Sequence, residues 1–272
     1  MRMGILFFVL LCCCIILIIS FNQLATTPIL NSLYNTQSKK TPALEIETIN
    51  TIPLPDGFTR IEVTKDSFGE WLGNIKLKKD NTVYLYNGKP KPDQHSHYAV
   101  LDISTGNKDL QQCADAIMRL RAEYYFSRKE YDKIRFRSNL VFYNFKDFSQ
   151  QGKPCYSHDC LVTFLEKVFT YCGTYTVDEM TRPIKMNEMQ AGDIFVKAGS
   201  PGHAMIVVDV AVNKSTGKKI YLLAQGYMPA QDMHIVINPN SLTLSPWYEI
   251  NDDEKIITPG FVFEKDQLKR WK

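Results

Sequence analysis

Residues 204–208, directly after His203, read Ala-Met-Ile-Val-Val, an unbroken apolar run of the kind that suits a central strand buried on both faces. The run is entered through Pro201-Gly202, and Ala191-Gly192-Asp193-Ile194-Phe195 comes shortly before it. Together they predict strand, turn, strand, with His203 at the mouth of the second strand. Far upstream, Gln111-Gln112-Cys113-Ala114-Asp115-Ala116 opens an amphipathic helix. Gly106-Asn107 breaks the preceding segment and Asn107 or Asp109 caps, so the pattern predicts a helix from Leu110 to about Phe126. Leu110, Cys113, Ile117, Leu120 and Tyr124 share one of its faces, flanked by Arg119, Arg121 and Glu123.

The rest of the chain fills in around these two elements. Residues 46–105 read mostly as strands, at 57–63, at 83–86 before the turn Asn87-Gly88, and at 97–103, with a short helical turn near 68–72. A second helix is expected from about Asp159 to Tyr171, stopped by Gly173. Strands follow near 193–198, 203–211, 219–226, 233–237 and 259–264. Residues 127–158 carry many aromatics and read as a lid or insertion. The expected class is α+β, a helix carrying Cys113 packed on an antiparallel sheet, with an N-terminal β-rich extension.

Arg2 precedes an uncharged apolar run from Ile5 to Ile19. Residues 1–20 are therefore read as a signal peptide or a membrane anchor, residues 21–45 as a polar linker, and residues 46–272 as one α+β domain. In either case Arg2 stays inside and the remainder is exported to the periplasm or cell envelope. Lipidation at Cys12, Cys13 or Cys14 is a third outcome, disfavoured by bulky Leu10 and Leu11. With 44% apolar residues a large core is possible, and a net charge of only +3 argues against nucleic acid as a partner.

A cysteine attacks as its thiolate, so a catalytic Cys113 needs help from the helix dipole and from a base. His203 is the candidate base. Strands 203–211 and 219–226 pair about the loop 213–217, which sets Gln225 opposite roughly Met205, one step from His203. Its amide oxygen is then the candidate orienter of the imidazole. Asp209 lies too far along the strand for that role, and Asp232 and His234 are weaker candidates. For an oxyanion or substrate contact the choices are the Cys113 N–H, Gln111 or Gln112, and His97. His95 reads as a surface residue.

Cys155, Cys160 and Cys172 leave disulfide pairing open. The spacing of Cys155, His158, Cys160 and Cys172 matches no trusted zinc pattern, and no cofactor or metal is expected. A metal site from His97, His203 and His95 is the least favoured alternative.

Gly192-Asp193-Ile194-Phe195 followed by Gly202-His203-Ala204-Met205-Ile206-Val207 resembles the Gly-Asp…Gly-His signature of NlpC-type and CHAP-type peptidoglycan hydrolases, which are papain-like. A wider set is similar to an uncharacterised bacterial family of exported domains of unknown function. That set runs from Leu110 to Ala116, from Arg119 to Tyr124, from Pro201 to Ala204, from Leu223 to Gln225 and from Met228 to Gln231. The resemblance implies a papain-like fold, with Cys113 as nucleophile, His203 as base and Gln225 as orienter. The implied activity is cleavage of amide bonds, with peptidoglycan stem peptides or another envelope peptide as substrate and the membrane contacted through the N-terminal segment. The alternative is a non-catalytic envelope-binding module on the same scaffold.

Overall fold

The computed structural model describes residues 46–139 and 141–272. The expected anchor or signal segment and the linker lie outside the described residues. Residues 46–272 form one compact unit. Its first half contains strand β1 (Phe58–Arg60), helix α1 (Phe68–Gly73), strand β2 (His97–Val100), helix α2 (Cys113–Ser127), the hairpin β3 (Arg135–Ser138) with β4 (Val141–Asn144), helix α3 (Phe145–Ser149), helix α4 (His158–Tyr171) and helix α5 (Thr174–Met180). Its second half is β5 (Thr181–Pro183), β6 (Ile194–Lys197), β7 (His203–Asn213), β8 (Lys219–Gln225), β9 (His234–Val236), β10 (Tyr248–Glu249), β11 (Lys255–Thr258), β12 (Phe261–Glu264) and β13 (Leu268–Trp271).

The fold is mixed α and β, a few helices around one large antiparallel sheet. That sheet has nine strands in the order β2-β9-β8-β7-β6-β13-β5, with β1 added beside β7 and β10 beside β8. Strand β7 is its spine. The first half of β7 pairs with β6, Ile206 opposite Ile194, and its far end pairs with β1, Ala211 opposite Arg60. On the other side it pairs with β8, Ile206 opposite Ala224, which is the register expected from the 213–217 loop.

Burial on both faces explains why 203–211 is apolar without alternation. Ala204, Ile206 and Val208 enter the core shared with the helices, while Met205 and Val207 enter a second core closed by the β11–β12 hairpin through Ile256 and Phe263. A register shift between Val207 and Asp209 then reverses the phase, so Val210 belongs to the second core and Ala211 to the first. Asp209, displaced inward by this bulge, pairs with Arg60 at 2.7 Å.

Two expectations need correction. The Cys113 helix begins at Cys113, not at Leu110, because Asp109 is spent elsewhere: its Oδ1 accepts from the Ala230 N–H at 2.7 Å and from Gln112 Nε2 at 3.1 Å. The stretch 46–105 holds only the short strands β1 and β2 and isolated bridges, such as Leu85 with Gln231. Side chains such as Gln94, bonded to Val83 and Lys91, hold its backbone where a ladder was expected. Residues 127–158 are structured, as a hairpin and a short helix seated on an aromatic cluster of Phe126, Tyr131, Phe145, Tyr156 and Phe164. Cys155 and Cys160 form a disulfide, and His158 sits 2.8 Å from Glu123, so these residues do not converge on a metal. Among the described residues no helix is long and apolar enough to cross a membrane.

Candidate active site

Helix α2 places Cys113 at its first residue. Gln112, the N-cap, is extended (φ −88°, ψ −158°), and its backbone N–H donates to Asp115 Oδ2 at 3.1 Å, which fixes the first turn. The N–H groups of that turn have no carbonyl a turn behind them, so they point outward as donors. The N–H groups of Ala204, next to His203 on β7, and of Ala114 and Cys113 each act to lower the pKa of the Cys113 thiol. The nucleophile candidate and the start of β7 are thus neighbours in one cleft.

This closeness depends on a glycine. A Cβ on Gly226, the residue after β8, would lie 3.0 Å from Ala116 Cβ and 3.0 Å from the Gln112 carbonyl oxygen. A bare backbone here lets the start of α2 settle on the end of β8, where Gln225 points.

The polar groups behind the cysteine form a chain whose direction can be deduced. His234 Nδ1 lies 2.9 Å from the Asp232 carbonyl oxygen, so it must donate. A neutral His234 then has only a lone pair at Nε2, which accepts from Gln225 Nε2 at 3.2 Å. That orients the Gln225 amide oxygen toward His203, whose Nε2 lies 2.7 Å away and therefore carries the hydrogen. The remaining ring nitrogen of His203, Nδ1, is left with its lone pair and makes no hydrogen bond among the described residues. His203 is held by aromatic rings as well, with Tyr227 and Phe261 each 5.0 Å from it and Phe263 at 5.9 Å between centroids.

Burial keeps these groups neutral. It pushes His203 down to about 4, against the raising effect of Gln225, and His234 down to about 3. Burial also pushes the Cys113 thiol up, and the three N–H donors do not fully offset it. Burial raises Asp115 well above its ordinary value, against the lowering effect of the Gln112 N–H, and one of its oxygens has no partner among the described residues. Cys172, pushed up to about 11 by burial, is also a thiol.

Both shifts run the same way, so burial favours a neutral thiol beside a neutral imidazole over a thiolate–imidazolium pair. Alkylation of Cys113 by iodoacetamide should keep rising with pH past about 9, whereas a preformed ion pair would level off near neutrality. Mass spectrometry of the modified peptide across a pH series reads the difference.

Cys113 and His203 line one cleft of about 920 Å³, with Gln112, Asp115, Cys172, Gly202, Tyr227, Met228 and Phe261 in its walls. Met228 is 65% exposed at the cleft. Of the residues expected from sequence, Cys113, His203, Gln225 and Gln112 come together. His97 does not line this cleft. It is buried, its Nε2 lies 2.6 Å from the Asn81 carbonyl oxygen, and its ring stands edge-on to His234. His95 is exposed, and among the described residues no group of three or more histidine, cysteine, aspartate or glutamate side chains is arranged to hold a metal. Sequence reasoning underrated His234, which sets the direction of the chain. It also passed over Gly226 and Tyr227, although a glycine directly after the orienting glutamine was a visible signal of close approach.

Asp193 of the Gly-Asp pair lies outside the cleft. It is fully buried, caps the preceding turn by accepting from the Gln190 N–H at 2.7 Å, and receives two bonds from Arg270 at 2.6 and 2.9 Å. Gly192 has φ +98°, and a Cβ there would press on Phe68 at 3.0 Å, so glycine is required.

A family model described as domain of unknown function 4846 matches residues 48–270. The NlpC/CHAP-type resemblance finds no support in this match. No curated protein matches, and no solved structure matches.

Proposed function

The chain belongs to the family described as domain of unknown function 4846, and from the geometry of its cleft we propose that it is a papain-like cysteine hydrolase of amide bonds. The observation that carries this reading is the chain Asp232–His234–Gln225–His203, which leaves an unprotonated Nδ1 in a cleft shared with a cysteine at a helix N-terminus. A structural histidine does not require a fixed tautomer with its lone pair kept free.

In the proposed reaction Cys113 passes its proton to His203 Nδ1 as its sulfur adds to the amide carbon. The oxyanion meets the first-turn N–H of Cys113 with the Gln112 amide as a second donor. The C–N bond breaks, the amine leaves with the proton from His203, and a thioester remains on Cys113. Water attacks the thioester with His203 again as base, releasing the acid and restoring the thiol. Burial suits this cycle, because a proton that moves only on attack needs no standing ion pair.

The exposed Met228 beside Tyr227 and Phe261 fits an extended peptide. With the apolar N-terminus read as an export segment, the substrate we propose is the stem peptide of peptidoglycan, reached from the cell envelope. Purified peptidoglycan incubated with the full-length protein should release fragments with new amine ends, seen by mass spectrometry. Protein alkylated beforehand at Cys113 should release none. A digest that stays unchanged with fresh protein overturns the hydrolase reading. It would favour the second reading, an envelope-binding module, which the raised Cys113 thiol on its own supports.

A further inference from the structure

A second cavity, of about 430 Å³, lies further along α2 and shares no lining residue with the cleft. Arg121 enters it eight residues beyond Cys113, about 12 Å along the helix. Arg121 is half-buried, and burial pulls its guanidinium down from its ordinary value. No carboxylate pairs with it among the described residues. Arg135 adds like charge, and the guanidinium lies over the rings of Trp271 at 4.4 Å and Tyr125 at 5.0 Å.

Two aromatic rings hold the guanidinium in place. Its N–H donors make no side-chain hydrogen bond among the described residues, which leaves the fork open to an acceptor in the cavity. Trp271, 9% exposed, lines the same wall, and its buried indole N–H has no partner among the described residues. The other charges do not supply the missing anion. Arg270 is spent on Asp193, the Lys272 ammonium donates to the Glu179 carbonyl, and Glu62 is exposed. Ile61, Phe68 and Val210 give the cavity an apolar floor.

We propose that this cavity is an oxyanion site, taking a small molecule whose carboxylate or phosphate group lies against the Arg121 fork and whose apolar body rests on that floor. The planar fork matches either anion in two-point contact. The site is independent of the hydrolase reading, since neither Cys113 nor His203 takes part.

Nitrogen–proton correlation spectra of the full-length protein test this through the Trp271 indole resonance, assigned by its loss in Trp271→Phe. Sodium benzoate and sodium phosphate are added separately at constant ionic strength, with chloride as the control anion. The expected result is a saturable shift of that resonance with at least one probe and not with chloride. A response to benzoate alone identifies a carboxylate ligand, and a response to phosphate alone a phosphate ligand. In Arg121→Lys, which keeps the charge and loses the fork, the midpoint should weaken by about tenfold, one step of 1.4 kcal/mol in affinity. Arg121→Gln should abolish the shift; if that protein fails to fold, the lysine variant decides. No saturable shift below about 50 mM of either probe, weaker than any useful affinity, overturns the proposal. An unchanged midpoint in Arg121→Lys overturns it equally. Unaltered Cys113 alkylation in the variants shows that the fold and the cleft are intact.

Discussion

Replacing His203 with alanine should slow amide hydrolysis by about 10²–10⁴-fold, the range expected when a positioned general base is removed. The protein should remain folded, because the ring faces the cleft on one side and its neighbours Tyr227, Phe261 and Phe263 can close part of the gap. Gln225 acts through His203, so its variants need a readout that a packing defect would not produce. In Gln225→Leu the His203 Nε2–H loses its acceptor, the Nδ1–H tautomer becomes accessible, and a fall of about 10²-fold or more in kcat should follow. Gln225→Glu separates the roles. A carboxylate beside the ring favours imidazolium, so the His203 pKa rises from about 4 and the acid limb of kcat/KM moves to higher pH. The sign is fixed: in the proposed reaction His203 works as the neutral base, a form that burial favours down to about pH 4, and any anion in place of Gln225 narrows that window from below. Rates that fall with no movement of the acid limb would make Gln225 a packing residue.

The largest stability effect should come from Gly202→Ala. A methyl group there would collide with the Gly199 carbonyl oxygen and lie 2.9 Å from both the Lys197 carbonyl oxygen and Thr174 Oγ1. Two of these three are backbone atoms of the β6–β7 turn, which cannot rotate aside. A loss of about 3 kcal/mol is expected, at the upper end for overpacking. That corresponds to a fall in Tm of roughly 6–12 °C for a domain of this size. Gly173→Ala is the control from the same cleft: no atom lies within 4 Å of its Cβ, so its melting curve should barely move. Thermal unfolding by circular dichroism of the two variants side by side gives the comparison. Equal melting points would mean that the turn before His203 yields easily, and that His203 is less rigidly placed than argued above.

The parts of this fold that were readable in the sequence are those whose burial is continuous. Strand β7 is apolar on both faces because two cores flank it, and a run such as Ala204–Val208 has few alternatives. The Gln225 register was readable because it follows from a loop between two unmistakable strands. The start of α2 was not readable. Asp109 is a good cap by type, but it is captured by the N–H of Ala230, which belongs to a loop brought near only by the completed fold. The β3–β4 hairpin was hidden for a related reason. Its Phe142 is 70% exposed, so hydropathy does not mark it, and its support comes from aromatic residues scattered along 126–171. In the site, Cys113 and His203 were recognisable by residue type and local context. His97 was misplaced because its period-two relation to His95 says nothing about which side of the sheet faces the cleft. The role of His234 needed the third dimension, since only the chain of donors and acceptors reveals it.

Strand β13 sits inside the sheet, with Leu268 paired to Phe195 on one side and Trp271 to Thr181 on the other, and with Arg270 clamped to Asp193. A polypeptide leaving a ribosome or a translocation pore delivers β6 and β5 long before residues 268–271. Until that last piece arrives, one flank of β6 is an open edge and residues 181–183 have no neighbour to join. The nascent molecule must pass through an interval of exposed strand edge, the state most prone to wrong pairing, until residues 268–271 join the sheet.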